Sequence, residues 1–329
     1  MIVAAFVVIA FVLTAYVLFD GYDLGVATIA PLVAKNDRER LAAMQAIGPF
    51  WNGNEVFLIA GGAMLFALFP RAYASSFSGF YLPFIIVLWL LMGRGIALEL
   101  REHFPSAMWH QFWDACFTIA SALLVLLFGV ALGNLIRGVP LDAQGFFMGT
   151  FGFLLNWYAL LVGVFAVVAL AMHGAAFLAL RVEGSLNERA FGFARRLWPA
   201  AVVLFVSITA GTFVVHPAVG AGAIVLGLLA LAALVVTRVL LGRRSELGAF
   251  ASSSAFLALL MAAAAATLFP YLLPAFAGSQ GAGISIFDAA PSAGALASAL
   301  AVSIVGLVAV AVYGTIVWRM LAGKVRVGE

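Results

Sequence analysis

Long apolar runs, broken by short polar or glycine- and proline-rich connections, fill almost the whole of this chain. A hydrocarbon core about 30 Å thick is crossed by roughly 20 helical residues. Nine runs approach that length: about 2–22, 53–70, 76–98, 113–133, 151–178, 198–215, 219–238, 250–273 and 295–318. The pattern therefore predicts an all-α integral membrane protein with nine transmembrane helices. Its narrowest division is at His216-Pro217, where two runs meet across almost no loop. The runs group as one polytopic membrane domain: a first four-helix bundle at about 1–140, a second at about 150–275, and a ninth helix with its tail at about 295–329. No strong internal sequence repeat accompanies that grouping. Small-residue runs, Gly61-Gly62-Ala63 and Ala262 to Ala266, permit close helix approach. The connections 133–144 and 270–294 are rich in Gly, Pro and Ser, as turns require, and leave no room for a folded module outside the membrane.

Composition excludes a soluble domain. Of 329 residues, 65% are hydrophobic and 9% charged. The 17 Lys and Arg residues fall on alternate connections, and all but Arg71 and Arg137 lie on one side. By the positive-inside rule the N-terminus is outside and the C-terminus cytoplasmic. A net charge of +3 drawn from loops sets orientation and offers no footprint for nucleic acid. The lone Cys116 excludes an internal disulfide and any cysteine-built iron–sulfur or structural zinc site. The first run has no basic segment before it and leads into FDGYD instead of a small-residue cleavage site, so it reads as a retained span.

Polar residues gather at the predicted cytoplasmic ends of the spans. Asp20 and Asp23, on neighbouring positions of one helix face, end span 1. Trp51, Asn52, Asn54 and Glu55 open span 2, where amides can cap a helix and an acid suits the positive end of its dipole. Arg94, Glu99 and Arg101 end span 3, Asp114 opens span 4, and His173 lies near the inner end of span 5. Converging in a bundle, Asp20, Asp23, Asn52, Asn54 and Glu55 would form a hydrated inlet for protons, because carboxylates and amides hold water chains. The alternative is a set of caps, interface anchors and ion pairs, into which Trp51, Arg94, Glu99, Arg101, Asp114 and His173 fit as structural residues.

Haem calls for axial ligands on facing helices at one depth. Only His103, His110, His173 and His216 are present, and no two are placed that way, so His173 reads as a packing histidine. No metal ligand set and no catalytic group is predicted in this chain.

The segments FDGYDLG (19–25), GPFWNGNEVFLIAGGAMLFALFP (48–70), FSGFYLP (77–83), RGIALELR (94–101), FGVALGNLIRGVP (128–140), HGAAFL (173–178) and LFPYLLP (268–274) resemble subunit II of cytochrome bd-type quinol oxidases. They follow the family's order through most of the chain. The resemblance implies a non-haem subunit of the bacterial inner membrane, paired with a homologous haem-bearing subunit I that holds two haem b, haem d and the quinol site. Quinol is then the substrate and oxygen the acceptor. Small single-helix subunits, lipid and quinone are the further partners it implies. It also assigns inner-face acids to a proton path, which falls here on Asp20, Asp23 and Glu55. Two positions depart from the family: Asn52 stands where its members often carry Asp, and Phe57 where they often carry Trp. An amide relays water without titrating, so that position cannot itself take up a proton. From the residues alone the rival readings are a secondary transporter with intramembrane acids and a scaffold without chemistry.

Overall fold

The computed structural model describes residues 1–321 and 323–326 and is almost entirely helical. Its helices are α1 (Ile2–Val33), α2 (Asp37–Ile47), α3 (Trp51–Leu68), α4 (Pro70–Gly79), α5 (Tyr81–Leu100), α6 (Ala107–Arg137), α7 (Phe151–Leu154), α8 (Trp157–Arg181), α9 (Gly184–Val215), α10 (Ala221–Gly242), α11 (Glu246–Leu268), α12 (Ile286–Ala289) and α13 (Ala293–Met320). A two-stranded antiparallel ribbon, β1 (Tyr271–Leu273) with β2 (Ile284–Ser285), folds the connection before α12.

Among the described residues, eight helices are long and apolar enough to cross a membrane. The predicted span not among them is α3, whose 18 residues begin with the polar turn Trp51-Asn52-Gly53-Asn54-Glu55 and so average less apolar. The division at His216 is real: α9 stops at Val215 and α10 starts at Ala221.

Helix ends differ from the predicted ones where side chains, not hydropathy, decide them. Helix α1 runs past its polar segment to Val33 instead of stopping near residue 22. Pro31 inside it cannot donate to the Ala27 carbonyl, and Thr118 Oγ on α6 donates to that oxygen instead, at 3.0 Å. Proline at the first position of α4 splits the segment after α3 into a short separate helix. Asn36 and Asn156 cap α2 and α8 by accepting from the amides of Glu39 and Ala159.

Helix α1 packs on α3 and α6, and α5 on α6; in the second half α8 packs on α9 and α11, and α10 on α11. The halves meet where α1 lies on α8 and α11, and α6 on α8. The α1–α8 crossing is close because Gly25 and Gly174 face each other. A Cβ on Gly25 would overlap the Leu170 carbonyl, and one on Gly174 would overlap the Gly25 backbone, so no rotamer change makes room. Gly174→Ala is expected to push the two halves apart, at a cost of about 1–3 kcal/mol or more. The fraction of monodisperse protein after detergent extraction checks this, and wild-type recovery would contradict it.

Outside the core the surface is apolar. Trp89 is 69% exposed, Val302 73% and Val214 73%, as expected of helices that face acyl chains or another membrane subunit.

Candidate functional site

The acids of α1 lie in the body of the bundle. The helix continues for ten residues beyond Asp23, and both Asp20 and Asp23 are 0% exposed. A spacing of three residues puts them on one face. Arg94 of α5, 1% exposed, reaches that face with its planar fork. Its Nη2 is 2.6 Å from Asp20 Oδ1 and its Nη1 is 3.2 Å from Asp20 Oδ2, a bidentate pair. The same Nη2 is 4.0 Å from Asp23 Oδ2. Asn54 of α3 completes the group, its Nδ2 donating to Asp23 Oδ2 at 2.7 Å and to the Tyr22 hydroxyl at 2.8 Å. One turn before Asn54, the Trp51 ring lies 6.0 Å from the Arg94 guanidinium carbon. Three helices thus supply two carboxylates, one guanidinium and one amide in a site closed to bulk water. Two ionised carboxylates against one guanidinium sum to −1, a charge that burial makes costly.

Glu55 is half-buried beside this group and close enough for its charge to act on Arg94 and Asp20. Asn52 is not brought in: it is exposed on the outward face of α3. Nor does the polar turn cap its helix, because the N-cap is Phe50 and no side chain bonds there. Asn54 spends its amide on α1 instead. Glu99 is exposed on α5.

Arg101 and Asp114 belong to a second network, at the helix ends. Arg101 Nε is 2.7 Å from Asp114 Oδ1, its Nη2 is 2.5 Å from Asp37 Oδ1, and its Nη1 bonds Glu102. Arg40 reaches Asp114 at 3.5 Å and His110 reaches Asp37 at 3.3 Å. Partial desolvation pushes the Asp37 carboxyl up, but Arg101 and His110 outweigh it and hold it below the usual carboxylate range. Glu39 behaves alike: burial opposes ionisation, while the Lys35 amide and the Arg189 guanidinium overcome it. These pairs tie α2 to the ends of α5, α6 and α9, and they read as clasps.

His173 is 0% exposed and uses both ring nitrogens. The Leu18 carbonyl, 3.1 Å from Nε2, can only accept, so Nε2 carries the hydrogen; Nδ1 lies 2.8 Å from the Ser253 hydroxyl, which also reaches the Phe250 carbonyl at 2.8 Å. With its ring stacked on Phe250 at 5.1 Å, it joins α1, α8 and α11. Both nitrogens of His173 are thus engaged inside the bundle, as a packing histidine's would be. Among the described residues no group of three or more His, Cys, Asp or Glu could hold a metal.

Sequence reasoning did not single out Tyr16, Tyr22, Ser121 or Ser253. For Tyr16 a signal was available, since it lies one turn from Asp20 on the same face of α1.

Comparison with known proteins places these features in a family. A family model described as cytochrome bd terminal oxidase subunit II matches residues 1–321. The chain is 31% identical over 271 residues to cytochrome bd ubiquinol oxidase subunit 2 of Bacillus subtilis (strain 168), covering 82% of this chain and 80% of that one. It is 36% identical over 208 residues to cytochrome bd-I ubiquinol oxidase subunit 2 of Escherichia coli (strain K12), covering 62% of this chain and 54% of that one. Its fold matches a chain in the structure of bd oxidase from Geobacillus thermodenitrificans with a TM-score of 0.79 at 17% identity, over 97% of this chain and 98% of that chain.

Proposed function

This chain belongs to the cytochrome bd terminal oxidase subunit II family, and from that membership we propose that its buried cluster is the cytoplasmic proton inlet of the oxidase. It is a multi-pass subunit of a respiratory quinol oxidase in the bacterial inner membrane. Family membership leaves the secondary-transporter reading without support. In our reading α3 counts as a ninth crossing, the N-terminus is outside, and the helices form two four-helix units with α13 at the periphery. Subunit I holds the two haem b, haem d and the quinol site, and this chain binds none of them. Small single-helix subunits, lipid and quinone complete the expected surroundings.

The observation that carries the inlet is the unequal treatment of the two acids. Asp20 is locked in a bidentate pair with Arg94, whereas Asp23 is held on one oxygen by an amide and stands 4.0 Å from the guanidinium. A proton taken up by Asp23 brings the cluster from −1 to zero, and neither state leaves Arg94 without a counter-ion. Asp23 is therefore the carrier, Asp20 and Arg94 are the fixed field that positions it, and Asn54 holds it through either state. Glu55, half-buried, lies on the water side as the collecting acid. Oxygen reduction consumes protons, and drawing them from the cytoplasm charges the membrane without a pump.

Coexpression tests the assembly half of this reading. Tagged and expressed with a subunit I, the chain is expected to copurify with haem d absorption; expressed alone, it is expected to be unstable and haem-free. Stoichiometric haem in the purified single chain would contradict the assignment.

A further inference from the structure

Three side-chain atoms at this level are buried with no hydrogen-bond partner, Asp23 Oδ1, Arg94 Nε and Ser121 Oγ, and the buried Tyr16 hydroxyl has only the Asp20 carboxylate beside it. An unpaired buried polar group costs about 1–3 kcal/mol, so several in one region require a ligand that can enter. A neighbouring subunit cannot supply it, because these atoms lie inside this chain. Water can, being small and able to give and accept.

Their order along the membrane is set by packing. Asp23, Asp20 and Tyr16 are successive turns of one face of α1, spanning about 10 Å at 1.5 Å per residue. Tyr16 OH stands beside the Asp20 carboxylate, and its ring meets Phe128 of α6 edge-on at 5.6 Å. Lower down, Thr118 of α6 bonds Ala27 of α1, so the antiparallel register puts Ser121 at the depth of Asp23 and Leu24.

We infer that Tyr16 is the next relay after Asp23, carrying protons toward the middle of the membrane through water bound on Asp23 Oδ1, Arg94 Nε, Ser121 Oγ and Tyr16 OH. In each transfer the phenol oxygen takes a proton from water on its Asp23 side as its own O–H proton passes to a water on the far side. The phenol stays neutral, and no charge is left in the membrane. The inference rests on the proton-inlet reading of Asp23 and adds to it a direction and a second station.

Tyr16→Phe tests it, since the variant keeps the ring against Phe128 and removes only the hydroxyl. In the assembled oxidase it is expected to lower turnover about threefold or more and to raise the ratio of rates in H2O and D2O, with haem absorption unchanged. A merely structural tyrosine would not move the isotope ratio. Asp23→Asn is measured beside it. If Asp23→Asn is slow while Tyr16→Phe keeps wild-type turnover and isotope ratio, Tyr16 is not a relay and only this inference falls. If both are wild type, the inlet reading falls and takes the relay with it. Should Tyr16→Phe fail to assemble, Ser121→Ala probes the Asp23 end of the same water chain, and an unchanged turnover and isotope ratio there overturns the inference.

Discussion

Replacing Asp23 by Asn is expected to slow quinol-driven oxygen consumption by about tenfold or more while leaving the haem spectrum of the complex intact. The side chain keeps its size and can still bond Asn54 after an amide flip, so packing is nearly preserved; what is lost is the carboxyl that, in the proposed inlet, binds and releases a proton. Asp20→Asn has a different signature. It removes one arm of a bidentate pair with Arg94 at 2.6 and 3.2 Å, leaving Asp23 as the guanidinium's partner. The deeper acid is therefore expected to affect stability as well as rate. Glu55→Gln, at a half-buried site, is expected to be the mildest of the three. Oxygen-electrode turnover with haem absorption as the assembly control distinguishes them.

Arg94→Met is expected to abolish assembly. It strands two carboxylates that are 0% exposed, and breaking a buried pair from one side costs about 3–5 kcal/mol. Because the cost comes from uncompensated charge, removing the charge should restore the fold: Arg94→Met with Asp20→Asn is expected to recover much of the haem content that the single variant loses. Haem per complex after purification measures this. Equal losses in the single and double variants would mean that Arg94 acts through packing alone.

How much of this was legible in the sequence depends on what kind of force sets each feature. Apolar runs set the spans, and most were readable, including the division at His216. Helix α1 was not readable to its end. Asp20, Gly21, Tyr22 and Asp23 look like the polar margin of a span, and only Arg94 and Asn54, more than 30 residues away, make their burial tolerable. An arginine inside the run LLMGRGIAL was the available signal, since a guanidinium within a span requires an acid at its depth. Asn52 and Asn54 show the limit of local reading. Two positions on a helix differ by about 200°, so one faces α1 and the other faces outward, and their shared polarity does not say which. Pairing of Arg101 with Asp37 and Asp114 was equally hidden, because hydropathy carries no information about which charges meet.

The most direct measurement is proton uptake by oriented oxidase in proteoliposomes during a pulse of oxygen, with a pH dye on the face bearing the α5–α6 connection. Wild-type enzyme is expected to take protons from that face as oxygen is consumed, and Asp23→Asn to slow dye response and oxygen consumption together, with haem content unchanged. Undiminished uptake from that face in Asp23→Asn would show that protons reach the haems by a route that bypasses this cluster.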